Sequence, residues 1–503
     1  MSILIRNATI ITMDEKTGTE PINGDVLIEA DRIRKIGRLA ESETADRVID
    51  GRNRLVMPGL VNAHIHSWET FLKGCYDNAP LELWMLYAYP ILGLTPLADR
   101  IIYLRSLLCA IECLKAGITT ILDDVIEMPG QNLDQIGMVF QAYEAAGIRA
   151  GISGHVINIP LLETMPFTAD IVPPELLSAS KGRPRLSAEE FLAFSREAID
   201  RYHGRAGRLY YVLGPGGPQR CTPDLLEGAH ELACSADAAY HLHVLETKLQ
   251  AVAGHKIYGR SLVKVLDELG VLTERTTMAH AIWVSEDDIA RIGRSGASVV
   301  HNPKSNLKLG SGIMPWRKLL NAGVNVALGS DGVASNDTPR MFDVMNIAAL
   351  IHKVTTPDRK KWPTADEVLR AATIGGAQSA MLRRETGSLE PGKKADLIVL
   401  DLTSLNFTPL NDIRHQLVYC ENGSSISHVI VNGQVVVEDN RLTTLDEDQI
   451  LTELAEYLPE FQKHYAEIEA LNRAYEPHLE QVCSRCAAQD IGLNRYSSAP
   501  DAW

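Results

Sequence analysis

No apolar run in the sequence approaches the roughly 18 uninterrupted residues that a membrane-spanning helix needs, and no such span is expected. The opening MSILIRNATIITMDE is too short and too broken by polar residues to serve as a secretory signal. Basic charge is scarce: 49 Lys and Arg stand against 64 Asp and Glu, a formal net charge of −15. With no basic stripe, a nucleic-acid partner is excluded. Low-complexity tracts and internal repeats are also missing, apart from a recurring strand–helix rhythm. The eight cysteines (Cys75, Cys109, Cys113, Cys221, Cys234, Cys420, Cys483 and Cys486) are scattered. Reduced thiols in a cytoplasmic enzyme are therefore expected.

What remains is an ordinary globular composition, 45% hydrophobic and 22% charged, in 503 residues, long enough for a large single barrel. Residues 1–58 alternate β-branched and polar side chains in SILIRNATIIT, DVLIEADRIRKIG and RVIDGRNRLVMP, the period of half-buried strands. The same texture returns at ADLIVL (395–400) and HVIVNGQVVVE (428–438), where Asn432-Gly433 predicts a tight hairpin turn. These pieces predict a small β-sandwich built from both chain ends, 1–58 with 386–440. Between them, 59–385 alternates short apolar runs with amphipathic helices, the signature of a parallel sheet.

Candidate barrel strands are MPGLVNAHIH, GITTILDDV (117–125), IRAGISGHV (148–156), RLYYVLGPG (208–216), AAYHLHVLE (238–246), TTMAHAIWV (276–284), ASVVHNP (297–303) and NVALGSDG (325–332). That number suits a closed (β/α)₈ TIM-type barrel of the α/β class. Capping-box patterns at Ser187/Glu190, Ser285/Asp288 and Thr364/Glu367, and Thr222 before Pro223, mark helix starts. Around 97–114, Leu97, Ile101, Leu104, Leu108 and Ile111 form one stripe that should face the barrel. Residues 441–503 predict a helical extension that frays over SSAPDAW (497–503).

The chemistry lies at the strand ends. His64 and His66 are two apart, so a strand points both to one side. His243, His280 and Asp331 each close another apolar run, on the rim where barrels place their active sites. Imidazole nitrogens and one carboxylate suit zinc or a similar first-row ion with a position left for water. Glu246, three residues past His243, is placed to move protons to and from that water.

Four stretches carry a family likeness. PGLVNAHIHS (58–67) resembles the metal motif of the amidohydrolase superfamily, and GSLEPGKKADLIVLD (387–401) its return into the β-sandwich. HNPKSNLKLGSGI (301–313) and LGSDGVASND (328–337) resemble the branch holding methylthioadenosine/S-adenosylhomocysteine deaminases, guanine and cytosine deaminases, and triazine hydrolases. The resemblance implies one divalent metal, zinc first with iron or manganese as alternatives, held by His64, His66, His243 and Asp331. It implies Glu246 as acid/base, with His280 orienting the metal-activated water and Asp331 helping to take its proton. No lysine closes a strand where other branches bridge two metals. The implied reaction is deamination: water adds to an sp² carbon of a small N-heteroaromatic substrate, and ammonia or an amine leaves. A C–Cl, amide or urea hydrolase on the same metal, or a non-catalytic scaffold, are the alternatives; the last predicts an eroded ligand, and none is missing. A homo-oligomer is also implied.

Two departures bear on the substrate. Leu92 and Gly93 stand where nucleoside deaminases of this branch are expected to have a ribose-binding glutamate, and Gly214-Pro215-Gly216-Gly217 replaces a Gly-Pro-His motif. Both favour a smaller or flatter substrate such as a pterin, purine base, triazine or urea-like compound. Trp68, Trp84 and Tyr87, with Tyr89, are candidates to stack on its ring, and Asn306 and Lys308 to contact it from the loop after His301. His301 itself is expected to support the site rather than bind metal. His478-Leu479-Glu480 with Cys483-x-x-Cys486 echoes a nucleobase-deaminase signature, but the spacing is far too short and one tail helix carries it all.

Overall fold

The computed structural model describes residues 1–181 and 185–496. The expected fraying of 497–503 therefore lies outside the described residues. Eight parallel strands form the central sheet: β1 (Leu60–Ile65), β2 (Ile118–Val125), β3 (Arg149–Val156), β4 (Leu209–Pro215), β5 (Tyr240–Val244), β6 (Thr276–His280), β7 (Ser298–His301) and β8 (Asn325–Leu328). Each pairs with the next in sequence order. β8 returns to β1: the Asp331 amide donates to the His64 carbonyl at 2.9 Å, and Asn62 and Ser330 exchange two hydrogen bonds of 2.7 and 2.9 Å. The sheet thus curls into the expected TIM-type barrel. Sequence-adjacent parallel strands require crossovers, which is why helices intervene.

The second sheet takes strands from both chain ends. Its order is Arg441–Leu442, Gln434–Glu438, Ile426–Val431, Leu397–Asp401, Arg54–Pro58, Ser2–Ile10, Ile22–Glu29 and Arg32–Gly37, with Arg47–Asp50 also on Ser2–Ile10. Two stretches read as continuous break into strand pairs, at Ala30-Asp31 and at Gly51–Asn53. Side chains alternate between two cores. Val56, Leu397, Val399 and Ile430 face the sheet's own apolar interior, whereas Leu55, Met57, Ile398, Leu400, Val429 and Val431 pack into the barrel's core. Period-two alternation is what a sheet covered on both faces by different partners needs. Asn432 and Gly433 have φ of +51° and +75°, the primed turn expected there.

Capping boxes form at Ser187, Ser285 and Thr364 as predicted, and a further one at Asn132. Thr222 precedes its helix without a side-chain cap bond. The helix predicted near 97–114 spans Asp99–Lys115, and its burial is not one stripe: Ile101 and Leu108 are only half-buried, while Ile102, Arg105 and Cys109 are buried. The helix Leu133–Ala146 explains the difference by packing on a second face, where Arg105 also turns inward to Glu127, while the C-terminal helix Glu447–Asn472 adds ion pairs from Glu453 and Glu447 to Arg100 and Lys115. A second tail helix, Glu476–Ala487, packs Leu479, Val482 and Cys486 against Leu86 and Val252. Among the described residues no helix is long and apolar enough to cross a membrane.

Candidate metal centre and active site

Backbone turns at the strand ends deliver the polar groups. His64 lies on β1 and His66 one residue past its end, so both rings enter the barrel mouth with centroids 4.6 Å apart. After His243 on β5 the chain turns at Leu245, φ +50°, before Glu246. His280 and Asp331 have φ of +74° and +66°. Left-handed backbone at non-glycine residues costs roughly 1–2 kcal/mol each. Local hydrogen bonds offset it: the Leu245 carbonyl accepts from Ile282 and Trp283, and the Glu246 amide donates to Gln250 at 2.9 Å.

The ring nitrogens converge. His64 Nε2 and His66 Nε2 each lie 3.3 Å from Asp331 Oδ1. His243 Nε2 lies 3.3 Å from His66 Nε2. His280 Nε2 is 3.6 Å from Glu246 Oε2 and 3.9 Å from Asp331 Oδ2. All six side chains are buried. Their outer atoms are held in place: His66 Nδ1 donates to the Asp124 carbonyl at 2.8 Å, His64 Nδ1 meets His241 Nε2 at 2.8 Å, and Ser305 donates to Asp331 Oδ2 at 2.7 Å. The Asp124 carbonyl fixes the His66 tautomer that leaves Nε2 bare, as a metal-ligating histidine requires. His64 Nε2 and His280 Nε2 are buried without a hydrogen-bond partner, a cost that a cation at this point removes. His64, His66 and His243, and again His64, His280 and Asp331, place one donor atom each within 4.8 Å of one another. An N₃O donor set of this kind suits a divalent ion such as zinc.

The electrostatics favour positive charge here. Burial opposes ionisation of Asp331, but the His64 and His66 ring nitrogens 3.3 Å away outweigh it and hold the carboxyl well below its usual range. Burial also opposes a charged His66, yet the Asp331 carboxylate 3.3 Å away and the acidic groups of Glu69 and Asp124 raise it to about 10. Burial lowers His64 to about 4 and raises Glu246 to about 7. A carboxyl near 7 exchanges protons readily at neutral pH.

Several participants escaped sequence reading. Glu69 is fully buried, accepts from the Ala334 amide at 3.1 Å and is pushed up by burial to about 8. It lies against the Asp331 turn: a Cβ on Gly332 would come within 1.8 Å of its Oε2, so only glycine fits. Asp124, His155 and His241 escaped too, although DDV and SGH close strands as the predicted ligands do. Arg220 escaped as well; it lines the pocket beside Trp84, Met85, Leu309 and Tyr89, the last a stacking candidate in the sequence.

The substrate candidates divide. Trp84 lines the pocket. Trp68 packs edge-on to Tyr89 at 4.6 Å, behind it. Tyr87 donates to Glu476 Oε2 at 2.7 Å, holding the tail helix. Asn306 Oδ1 accepts from His280 Nδ1 at 2.9 Å and so positions that ring. Lys308 bonds Asp337 and the Ala334 carbonyl, anchoring the loop. His301 faces His352 at 3.2 Å, away from the ligand set. The Cys483 and Cys486 pair lies on the single tail helix, as read.

A model of the amidohydrolase family matches residues 55–436. The 5'-deoxyadenosine deaminase of Methanosarcina mazei is 36% identical, over 90% of this chain and 96% of its own. The 5-methylthioadenosine/S-adenosylhomocysteine deaminase of Caldanaerobacter subterraneus subsp. tengcongensis is 34% identical over 90% and 97%. Among solved structures, the atrazine chlorohydrolase of Arthrobacter aurescens TC1 complexed with zinc superposes with a TM-score of 0.80 at 27% identity, over 91% of this chain and all of that one.

Proposed function

From the premise that this chain belongs to the amidohydrolase family, and is a hydrolase of C–N bonds other than peptide bonds, we propose that it deaminates an adenosine-type nucleoside. The carrying observation is the meeting of His64, His66, His243 and Asp331 around one point, with Glu246 and His280 beside it. The relatives' names favour a nucleoside over the flat bases and triazines that Leu92 and Gly216 suggested. The same reading takes zinc as the ion, consistent with the zinc-bound neighbour, and a cytoplasmic homo-oligomer as the working form.

When bound, a divalent ion at this donor set acidifies water and polarises the reacting carbon. Glu246 takes one proton from the attacking water and passes it to the adjacent ring nitrogen, which leaves C6 more electrophilic. A C–O bond forms. His280, its Nδ1 proton held by Asn306, turns the bare Nε2 toward the attacking water and orients it by accepting a hydrogen bond from it. The second water proton goes to the exocyclic amine, the C–N bond breaks, and ammonia leaves with a 6-oxopurine as product. Trp84, Met85, Tyr89 and Leu309 wall the ring and exclude bulk water.

Ammonia release from adenosine and from its 5'-substituted analogues by the zinc-loaded protein tests this reading. Release at turnover rates above one per second, lost on chelation and restored by zinc, is expected. Hydrolysis of chlorotriazines with no nucleoside turnover would replace it with the chlorohydrolase alternative.

A further inference from the structure

Beside the metal pocket lies a second, larger chamber, joined to it through shared walls at Met85, Tyr89 and Arg220. Ile126, Val156, Ile159 and Leu162 make much of its lining apolar. Its buried acid, Glu127, is ion-paired to Arg105. His155, at the end of β3, also faces the chamber. The side chain is 1% exposed. Its Nδ1 meets Asp124 Oδ2 at 2.6 Å, and that carboxylate is itself held by Ser153. Its Nε2 has no partner. A buried ring nitrogen fixed on one side and free on the other is costly unless something binds there.

The neighbouring strand keeps that nitrogen open. A Cβ on Gly216 would lie 2.9 Å from His155 Nε2. Any other residue at 216 would take the space that His155 faces. On the shared wall, buried Arg220 donates through its guanidinium to the Met85 sulfur at 3.2 Å, a weak acceptor for a charged donor. Arg220 on the wall shared by the two cavities, and His155 in the larger one, therefore present two hydrogen-bonding groups beside the metal pocket.

We propose that His155, locked by Asp124, is a specificity-determining residue that hydrogen-bonds a sugar oxygen of the substrate as it passes from the metal pocket into the chamber, with Arg220 donating to a second oxygen. This inference rests on the nucleoside reading above. It gives the chain a polar contact from β3 at the place where β4 ends in glycine. Asp124 also lies 3.8 Å from His243 Nδ1, so the carboxylate that orients His155 leans on a metal-ligand candidate as well.

Equilibrium binding of adenine and adenosine to the zinc-loaded Glu246→Gln protein, which holds either ligand unreacted, provides the test. His155→Asn places an amide near the old Nδ1, so Asp124 keeps its partner, but nothing reaches the chamber. Adenosine should bind about tenfold more weakly, the worth of one or two hydrogen bonds, with adenine affinity and zinc content unchanged. His155→Gln, whose amide reaches the old Nε2 position, should recover part of the loss. Equal weakening of both ligands, or no weakening of adenosine, overturns the assignment of His155. If the parent binds adenine but not adenosine, the nucleoside reading falls first and this one with it. Gly216→Ala, which sets a methyl against His155 Nε2, should reproduce the adenosine-selective loss without touching the histidine.

Discussion

At the scale of single residues, the groups that converge at the barrel mouth were legible because strand ends are. His64, His66, His243, His280 and Asp331 each follow an apolar run, and the barrel rim gathers such positions. Residues that act through them were not. Asn306 and Ser305 sit in a short helix whose pattern says nothing of His280 or Asp331, and Glu69 reads as one polar residue in SWETFL. Glu246→Gln should keep its zinc and lose turnover by about a thousandfold, since it removes the proton carrier; metal content with kcat checks this, and parental kcat would remove Glu246 from the role. Asn306→Ala should lower kcat by roughly 10- to 100-fold while zinc stays bound, as for other losses of an orienting partner. A drop in zinc content instead would place Asn306 with the ligands.

At the scale of elements, period decided what could be read. Strands and capped helices were found where period-two and period-3.6 patterns are unmixed. The helix Asp99–Lys115 defeated the stripe reading because Leu133–Ala146 covers a second face of it, and Glu447–Asn472, more than 300 residues later, adds ion pairs to Arg100 and Lys115. That tail helix also serves the pocket. Asn472 accepts from the Ile91 and Leu92 amides at 2.9 and 3.0 Å and donates to the Leu92 carbonyl at 3.0 Å. It thereby fixes the chain just past Trp84 and Met85. Asn472→Ala leaves these backbone groups unpaired and should cost about 3 kcal/mol, measured by denaturant unfolding. It should raise KM more than it lowers kcat; an unchanged KM would detach the tail from the pocket.

At the scale of the molecule, barrel and two-ended sheet followed from rhythm alone, whereas the breadth of the second chamber did not. No local pattern reports a cavity shared by β3, the segment 126–131 and the segment 85–91. Stability should depend on pH through Glu69. Burial raises its carboxyl to about 8 from an ordinary 4.5. The neutral acid's advantage is complete below the unfolded value and is lost as pH climbs through the folded one. In chelated protein the melting temperature should therefore fall between pH 5 and 8, and Glu69→Gln should flatten that fall. A parallel slope in both proteins would place the titration elsewhere.

The two ends of the barrel's sheet meet where Asp331 donates its amide to the His64 carbonyl, and those same residues turn their side chains toward one another. An ion held there works as a rivet through the join as well as a reagent. Its removal should quicken hydrogen exchange first at the Asp331 and Ser330 amides, then along β8 and β1, while β3 and β4 on the far wall keep their protection.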